Sequence, residues 1–512
     1  MLIKVSSASN SGLQTIAIDV EVNVAGKGLP AFEIIGLPSK AVDESRDRVK
    51  TAIINSHIQF PSRRITVNLA PADIPKEGSF YDLPIAVGIL ASVTGCQLPG
   101  ESLFFGELSL DGTLRHTRGA LLLSLFAKEK GIKNIFVPKT SANEAAIVKG
   151  VNVYPVESLN QLLSYFSGET DLKPAEYIEV KDNWMNVQAE FDMAEILGQE
   201  QAKRAAEISA SGGHNLFLVG TPGSGKTMLA RALAGILPSL TEKESLEVTK
   251  IYSASGRIPP EGSLVKTRPF RAPHHTISRV GLIGGGTKPQ PGEVSLSHRG
   301  ILFLDEFSEF PRSVLEALRQ PLEDGSLTIS RSRERVTYPS RFVLIASANP
   351  CPCGYLHHPK KPCLCTSREV EKYRKRVSGP ILDRIDLHID VPVVDIKELA
   401  KDRQLKDQLE PSVIIRGRVI KARETQKNRF FDDGIHTNAE MKNKHIKKHC
   451  PLSKEVRHLL QQAGMNFQLS ARSYFKMIKV ARTIADLGDS RDIAVNHMAE
   501  ALQYRPRVQE RE

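Results

Sequence analysis

Cysteine is sparse in this chain, six residues in 512, so a disulfide-stapled scaffold is not expected and reduced thiols are the default. A charged-then-apolar leader is missing from the opening Met1-Leu2-Ile3-Lys4-Val5-Ser6-Ser7, and secretion is not expected. Long apolar runs are missing too. The longest apolar patch, from Ile85 to Leu98, is broken by Gly88, Thr94 and Gly95, and it is too short to span a hydrocarbon core of about 30 Å. A cytoplasmic protein with no membrane partner is the expectation. No homeodomain, zinc-finger or RNP pattern is present to read a base sequence.

What the chain does carry is concentrated in its middle. Gly220-Thr221-Pro222-Gly223-Ser224-Gly225-Lys226-Thr227 follows the apolar run Asn215 to Val219 and precedes Met228-Leu229-Ala230. A buried strand therefore feeds a glycine-rich turn and then a helix, the context a phosphate cradle requires. Glycines let the backbone N–H groups approach a triphosphate, Lys226 supplies a point charge near the β- and γ-phosphates, and the Thr227 hydroxyl is placed to ligate Mg²⁺. Further on, Gly300-Ile301-Leu302-Phe303-Leu304 ends in Asp305-Glu306, which reads as a central parallel strand apolar on both faces. Asp305 would hold Mg²⁺ opposite Thr227, and Glu306 would polarise an attacking water, so hydrolysis of ATP is expected. A third apolar run, Arg341 to Ala346, leads into Ser347-Ala348-Asn349. The Asn349 amide either orients that water or forms a turn.

These elements resemble the AAA+ ATPases, in the branch that includes magnesium chelatase and the minichromosome maintenance helicases. Ile196-Leu197-Gly198-Gln199 precedes the cradle by one helix. Ser378-Gly379-Pro380-Ile381-Leu382-Asp383-Arg384-Ile385-Asp386 is similar to the segment carrying the arginine finger, and Leu469-Ser470-Ala471-Arg472 resembles a sensor 2 arginine opening a lid helix. By this resemblance Arg384 reaches the γ-phosphate in a neighbouring subunit and Arg472 the one in its own. The competing reading of Arg384 is a salt bridge with Asp383 or Asp386. A finger acting in trans is worth roughly 10³ to 10⁵ in rate, and a head-to-tail contact repeated about an axis closes a ring. The family expectation is a hexameric homo-oligomer.

The stretch Arg268 to Ser278, followed by Gly284-Gly285-Gly286 and Pro291 to Leu296, resembles the insertion found in the ComM/YifB family of magnesium chelatase-like proteins. His274 and His275 are adjacent and point in different directions on any regular element, so they make a poor chelating pair. With Arg268 and Arg271 they suit contact with phosphate or acidic partners, and in related motors such insertions face the central pore.

The fold class expected is α/β in three parts joined by a linker: a Lon-protease-like α+β domain at residues 1–168, a linker at 169–190, an AAA+ P-loop core at 191–395 and a C-terminal helical lid at 396–512. In the first part, strand-like Thr15 to Val22 and Arg64 to Leu69 alternate with helix-like Glu44 to Ser56 and Leu121 to Lys130. Pro75 to Ala86 and Gly131 to Pro138 resemble the proteolytic domain of Lon. Lon uses a serine nucleophile activated by a lysine, and both partners are needed. Aligned without gaps, Phe80 falls at the serine and Leu121 at the lysine, while Ser79 is one residue off, so peptidase activity is not expected.

Four of the six cysteines cluster as Cys351-x-Cys353 and Cys363-x-Cys365. Four soft ligands in one loop suit a structural tetrahedral Zn²⁺, although Cys-x-Cys is less usual than Cys-x-x-Cys and an unliganded loop is the other reading. The net charge is +11, and residues 396–512 hold 24 Lys and Arg against 15 Asp and Glu. The clusters Lys442, Lys444, Lys447, Lys448 and Arg416, Arg418, Lys421, Arg423 form either a solvated lid face or a polyanion surface. The resemblance implies a ring-forming ATP-driven motor acting on single-stranded or branched DNA without sequence preference, a branch-migration helicase in recombination during natural transformation. The alternative is a chelatase-type or chaperone-like motor that remodels a protein partner. Magnesium chelatase also needs large and integrin-like subunits, and no integrin-like domain or acidic linker is apparent here.

Overall fold

The computed structural model describes residues 2–76, 78–177, 190–258, 264–286, 289–330, 335–356, 358–394 and 409–506. Most of the expected linker 169–190, the first residues of the expected lid (396–408), Glu77 and His357 lie outside them. The chain divides into two compact units, Met1–Asp182 with Glu242–Val265 and Glu334–Thr337, and Asn183–Thr241 with Lys266–Arg333 and Tyr338–Glu512.

In the first unit β1 (Leu2–Ser11) and β2 (Gln14–Val24) form an antiparallel hairpin. Its two-residue turn opens on Gly12 at φ +59°, a conformation glycine adopts without strain. β3 (Ala31–Ile35), α1 (Ser45–Asn55) and β4 (Arg64–Ala70) follow, and the sheet order is β1-β2-β4-β3. Alternate residues Ile18, Val20 and Val22 of β2 are fully buried. They lie beneath α2 (Asp82–Thr94), whose Leu83, Ile85, Ala86, Val87 and Ile89 are buried as well. Gly88 permits that approach, because a Cβ there would stand 2.5 Å from Val22 Cγ2.

β5 (Ser102–Phe104), α3 (Ala120–Lys130), β6 (Asn134–Pro138) and β7 (Asn152–Val156) add a parallel sheet of order β5-β6-β7. Phe80 stacks on Phe105 with ring centroids 4.5 Å apart, and Leu121 is fully buried. The two positions that a serine–lysine pair would occupy are thus filled by packed apolar side chains. The Ser79 hydroxyl donates to the Glu107 carboxylate instead.

Residues 242–265, within the span expected for the ATPase core, group with the first unit. Its helix, Glu242–Ser255, buries Val248 and Ile251, and the Ser253 hydroxyl donates to Glu144 Oε1 at 2.6 Å. Leu264 joins Leu121, Ile147 and Val148 in one apolar cluster. Burial pushes the Glu144 carboxyl above its ordinary range, opposed by hydrogen bonds from Leu121 N–H and Ser253.

The second unit is built on α4 (Glu200–Gly212), β8 (Leu216–Gly220), α5 (Lys226–Ile236), β9 (Phe270–Arg271), β10 (Ile301–Leu304), β11 (Val343–Ala348) and β12 (Leu387–Val391). The five strands are all parallel, in the order β9-β10-β11-β8-β12. Ile301 to Leu304 and Leu344 to Ala346 are buried on both faces, as a sheet covered on both sides requires. β11 runs two residues beyond the expected Ala346, because Ser347 and Ala348 still pair with Leu218 and Val219. Its central place matters for the site. It lies between the cradle strand β8 and the carboxylate strand β10, so the carboxyl ends of all three meet at one edge, where ligands of open parallel sheets bind.

α6 (Ser412–Arg429), α7 (Asn443–His449), α8 (Lys454–Asn466), α9 (Ala471–Leu487) and α10 (Val495–Gln503) complete the unit. Their apolar faces share one core with the sheet through residues such as Val419, Leu460, Met477 and Met498. A buried ionic knot pins α6 to α9. Asp486 accepts from Arg429 at 2.5 and 2.8 Å, from Arg482 at 3.0 Å and from Asn438 at 2.8 Å.

Candidate functional site

Residues 222–228, 305, 306 and 347–349 line a cavity of about 460 Å³. Gly223 and Gly225 take φ +77° and +87°, which curls the backbone around its own amides. Gly220 has no room for a side chain, since a Cβ would meet Val391 O at 2.5 Å and Ser224 Oγ at 2.7 Å. Gln199 fastens the loop from behind, its amide donating to Pro392 O at 2.7 Å and Ser224 O at 3.4 Å.

The Lys226 ammonium donates to the carbonyls of Gly220 (2.7 Å) and Thr221 (2.9 Å) and stands 3.4 Å from Asn349 Oδ1. Burial lowers its pKa, against the pull of the Asp305 and Glu306 charges. Thr227 Oγ1 donates to Asp305 Oδ2 at 2.9 Å. Asp305 also accepts from Ser347 Oγ and, at 3.0 Å, from the Glu306 N–H. The hydroxyls of Thr221 and Ser224 are buried without a partner among the described residues. A buried cation, orphaned hydroxyls, a loop turned on two left-handed glycines and a hydroxyl–carboxylate pair fit a triphosphate with a divalent ion. Thr227 and Asp305 would hold the Mg²⁺.

Glu306 occupies the left-handed region at φ +51°, a conformation worth of order 1 to 3 kcal/mol of strain in a non-glycine residue. Its carboxylate meets His275 Nδ1 at 3.1 Å. Sequence reasoning did not bring these two together. The available signal was position, since His275 lies just beyond β9, and β9 pairs with β10, which Glu306 follows by two residues.

Arg384 and Arg472 stand elsewhere. Both bind Glu323, Arg384 through Nη2 and Arg472 through Nη2 at 2.8 Å, and Arg384 Nη1 also donates to Pro380 O at 2.6 Å. Arg384 first and Arg472 second hold the Glu323 carboxyl below its ordinary range. Neither Asp383 nor Asp386 takes the Arg384 guanidinium. The Arg384 carbonyl accepts from Asn215 Nδ2 at 3.3 Å, and Asn215 precedes β8, at the end of the sheet opposite the cradle. Arg472, expected at the phosphate of its own chain, therefore sits beside Arg384 instead. The physical reason is the anchor of α9: Lys476, pushed down to about 8 by burial, donates to Ile385 O at 2.8 Å, which ties the start of the helix to the amino end of β12.

Two expected phosphate contacts are occupied within the fold. Arg268 donates to the carbonyls of Pro238 and Arg299, each at 2.6 Å, and Arg271 donates two hydrogen bonds to the Glu293 carboxylate, at 2.5 and 2.8 Å. The cation cluster on α6 is occupied likewise: Arg416 binds Ser239, Arg418 binds Glu207 and Glu410, Lys421 binds Asp489 and Arg423 binds Ala210 O. Lys442, Lys444 and Lys447 are exposed and form no ion pair among the described residues, while Lys448 reaches Asp433 at 3.1 Å. Cys351, Cys353, Cys363 and Cys365 converge, their sulfurs all within 4.8 Å of one another. The N–H groups of Tyr355 and Leu364 draw the Cys353 thiol down, while burial and the neighbouring sulfurs push Cys363 and Cys365 up.

A five-stranded parallel sheet with this cradle defines a P-loop nucleotide-binding core. Three family models match: magnesium chelatase, subunit ChlI, over residues 192–399; subunit ChlI of Mg-chelatase over 20–141; and the ChlI C-terminal part over 409–505. The chain is 41% identical to the competence protein ComM of Haemophilus influenzae over 512 residues, covering 98% of this chain and 97% of that protein. It is 41% identical to YifB of Salmonella typhimurium, covering 96% and 95%, and 40% identical to YifB of Escherichia coli with the same coverage. The chain belongs to the ComM/YifB family of magnesium chelatase-like proteins, and that membership carries the expectation of an AAA+ ATPase using ATP and Mg²⁺.

Proposed function

We propose that the chain is a ring-forming, cytoplasmic ATPase motor that moves branched DNA, a branch-migration helicase serving recombination during natural transformation. The observation that carries the ring is the place of Arg384 and Arg472, together on Glu323 at the end of the sheet away from their own cradle. From there they complete a neighbour's site and not their own. Bound Mg²⁺ would neutralise charge developing on the phosphates. Lys226 orients the γ-phosphate, Glu306 takes up the proton of the attacking water, and Asn349 fixes that water's direction. A head-to-tail hexamer gives every cradle its two arginines.

The DNA role is supported by full-length similarity to the competence protein ComM and by the exposed Lys442, Lys444 and Lys447, which form no ion pair among the described residues. Such a surface meets the phosphate backbone and reads no bases. The testing experiment incubates the purified ring with ATP and three- or four-strand recombination intermediates. Junction movement that requires ATP and is lost in Glu306→Gln supports the reading. Stationary junctions, with turnover stimulated by a protein partner and not by DNA, would overturn it in favour of protein remodelling, which the match to chelatase subunit models keeps relevant.

A further inference from the structure

The loop after β11 is short of apolar anchors: Leu364 is 86% exposed, and Cys353, Cys363 and Cys365 are only half-buried. Yet its cysteine sulfurs crowd together, Cys351 to Cys353 at 3.4 Å, Cys351 to Cys363 at 3.7 Å and Cys353 to Cys363 at 3.6 Å. A disulfide would need about 2.05 Å. Sulfurs at the corners of a tetrahedron around a metal bonded at about 2.3 Å stand about 3.8 Å apart, and the observed separations approach that value. A backbone N–H also points at a sulfur: that of Leu356 donates to Cys351 Sγ at 3.3 Å. Amides aimed at sulfur stabilise thiolates, the form that binds metal.

The same loop touches the nucleotide cradle. Gly354 lies at φ +83°, and a Cβ built on it would stand 2.7 Å from Pro222 Cδ and 3.9 Å from Asn349 Cγ. Cys351 is two residues from Asn349, and the carbonyl of the intervening Pro350 accepts from Arg374 Nε at 3.4 Å. The knuckle between Cys351 and Cys365 thus backs both the P-loop wall and the amide that faces Lys226.

We propose that Cys351, Cys353, Cys363 and Cys365 bind one Zn²⁺ as a tetrathiolate, and that the metal holds this knuckle against Pro222 and Asn349 so that turnover, more than nucleotide affinity, depends on it. The second half rests on the ATPase reading; the first does not.

The test uses the full chain, purified without a histidine tag. Elemental analysis should give one zinc per chain, and replacement by Co²⁺ should give the thiolate charge-transfer and tetrahedral ligand-field bands of a four-sulfur site. A cobalt spectrum without thiolate bands, or a metal-free protein in which these cysteines are oxidised to disulfides, overturns the site. This spectrum is read on the wild-type chain, so it stands even if Cys351→Ser or Cys363→Ser fails to fold. For the coupling, extracting zinc should lower kcat at least tenfold, leave binding of a fluorescent ATP analogue within about threefold, and be reversed by adding Zn²⁺. Zinc-free protein that hydrolyses ATP at the holoprotein rate overturns the coupling. Holoprotein that hydrolyses no ATP under any condition overturns the ATPase reading, while the metal measurements still decide the site.

Discussion

Mixing two inactive variants, Lys226→Ala and Arg384→Ala, should restore turnover. Arg384 lies at the amino end of β12 beside Asn215, whereas Lys226 lies beyond the carboxyl end of β8. The five residues of β8 span about 16 Å at roughly 3.3 Å each, more than an extended arginine side chain covers, and the sheet between is rigid. On the proposed ring the guanidinium serves a neighbour. Arg384→Ala alone should bind ATP normally and lose roughly 10³ to 10⁵ in rate, about 4 to 7 kcal/mol of barrier. Lys226→Ala alone should not bind ATP. In rings assembled at random from equal amounts of both, about one seam in four joins an intact cradle to an intact finger, so steady-state hydrolysis should recover to about a quarter of the wild-type rate. If the finger serves its own chain, no subunit in the mixture is whole and the rate stays at background. Background turnover in mixed rings verified by a two-tag pull-down would refute the reasoning. Arg472→Ala mixed with Lys226→Ala applies the same test to the second arginine.

Glu306→Gln should keep ATP affinity and lose at least about 10²-fold in turnover, seen as radiolabelled ATP retained on a spin column. Asp486→Ala leaves Arg429 and Arg482 without their shared carboxylate, in a site where the aspartate side chain is 0% exposed. Loss of one partner of a buried pair costs about 3 to 5 kcal/mol, to be read from chemical denaturation of the helical segment. Leu121→Lys should destabilise the first unit and create no peptidase, because the position is fully buried and Ser79 is bound to Glu107; thermal unfolding and a casein assay check it. Replacing Lys442, Lys444 and Lys447 by alanine should flatten the salt dependence of DNA binding by about 0.9 log units for each lost phosphate contact, measured by fluorescence anisotropy across a salt series. An unchanged slope would move the DNA surface elsewhere.

The cradle was legible because its chemistry is local. Eight consecutive residues carry the amides, the amine and the hydroxyl, and the flanking apolar run and helix give their context. Asp305 and Glu306 were legible for the same reason, as carboxylates at the end of an apolar strand. The place of Arg472 was not. Glu323 lies 61 positions before Arg384, and only the anchoring of α9 through Lys476 reveals that two arginines share one carboxylate. Charge misled more than hydrophobicity did. The four cations on α6 look in sequence like those around α7, yet the first group is consumed by Ser239, Glu207, Glu410, Asp489 and the Ala210 carbonyl, partners supplied by the tertiary fold. Arg268 and Arg271 are likewise held inside the fold, by the Pro238 and Arg299 carbonyls and by Glu293.

Residues 242–265 depart from the nucleotide-binding unit after α5 and fold with the first, so no single cut through the backbone yields two whole modules. A fragment beginning at residue 190 would leave Val248, Ile251 and Leu264, all buried in the intact chain, facing water. Such a fragment would aggregate or lose activity for reasons unrelated to catalysis. Truncation therefore disturbs both units at once, and point variants are the cleaner way to separate what each contributes.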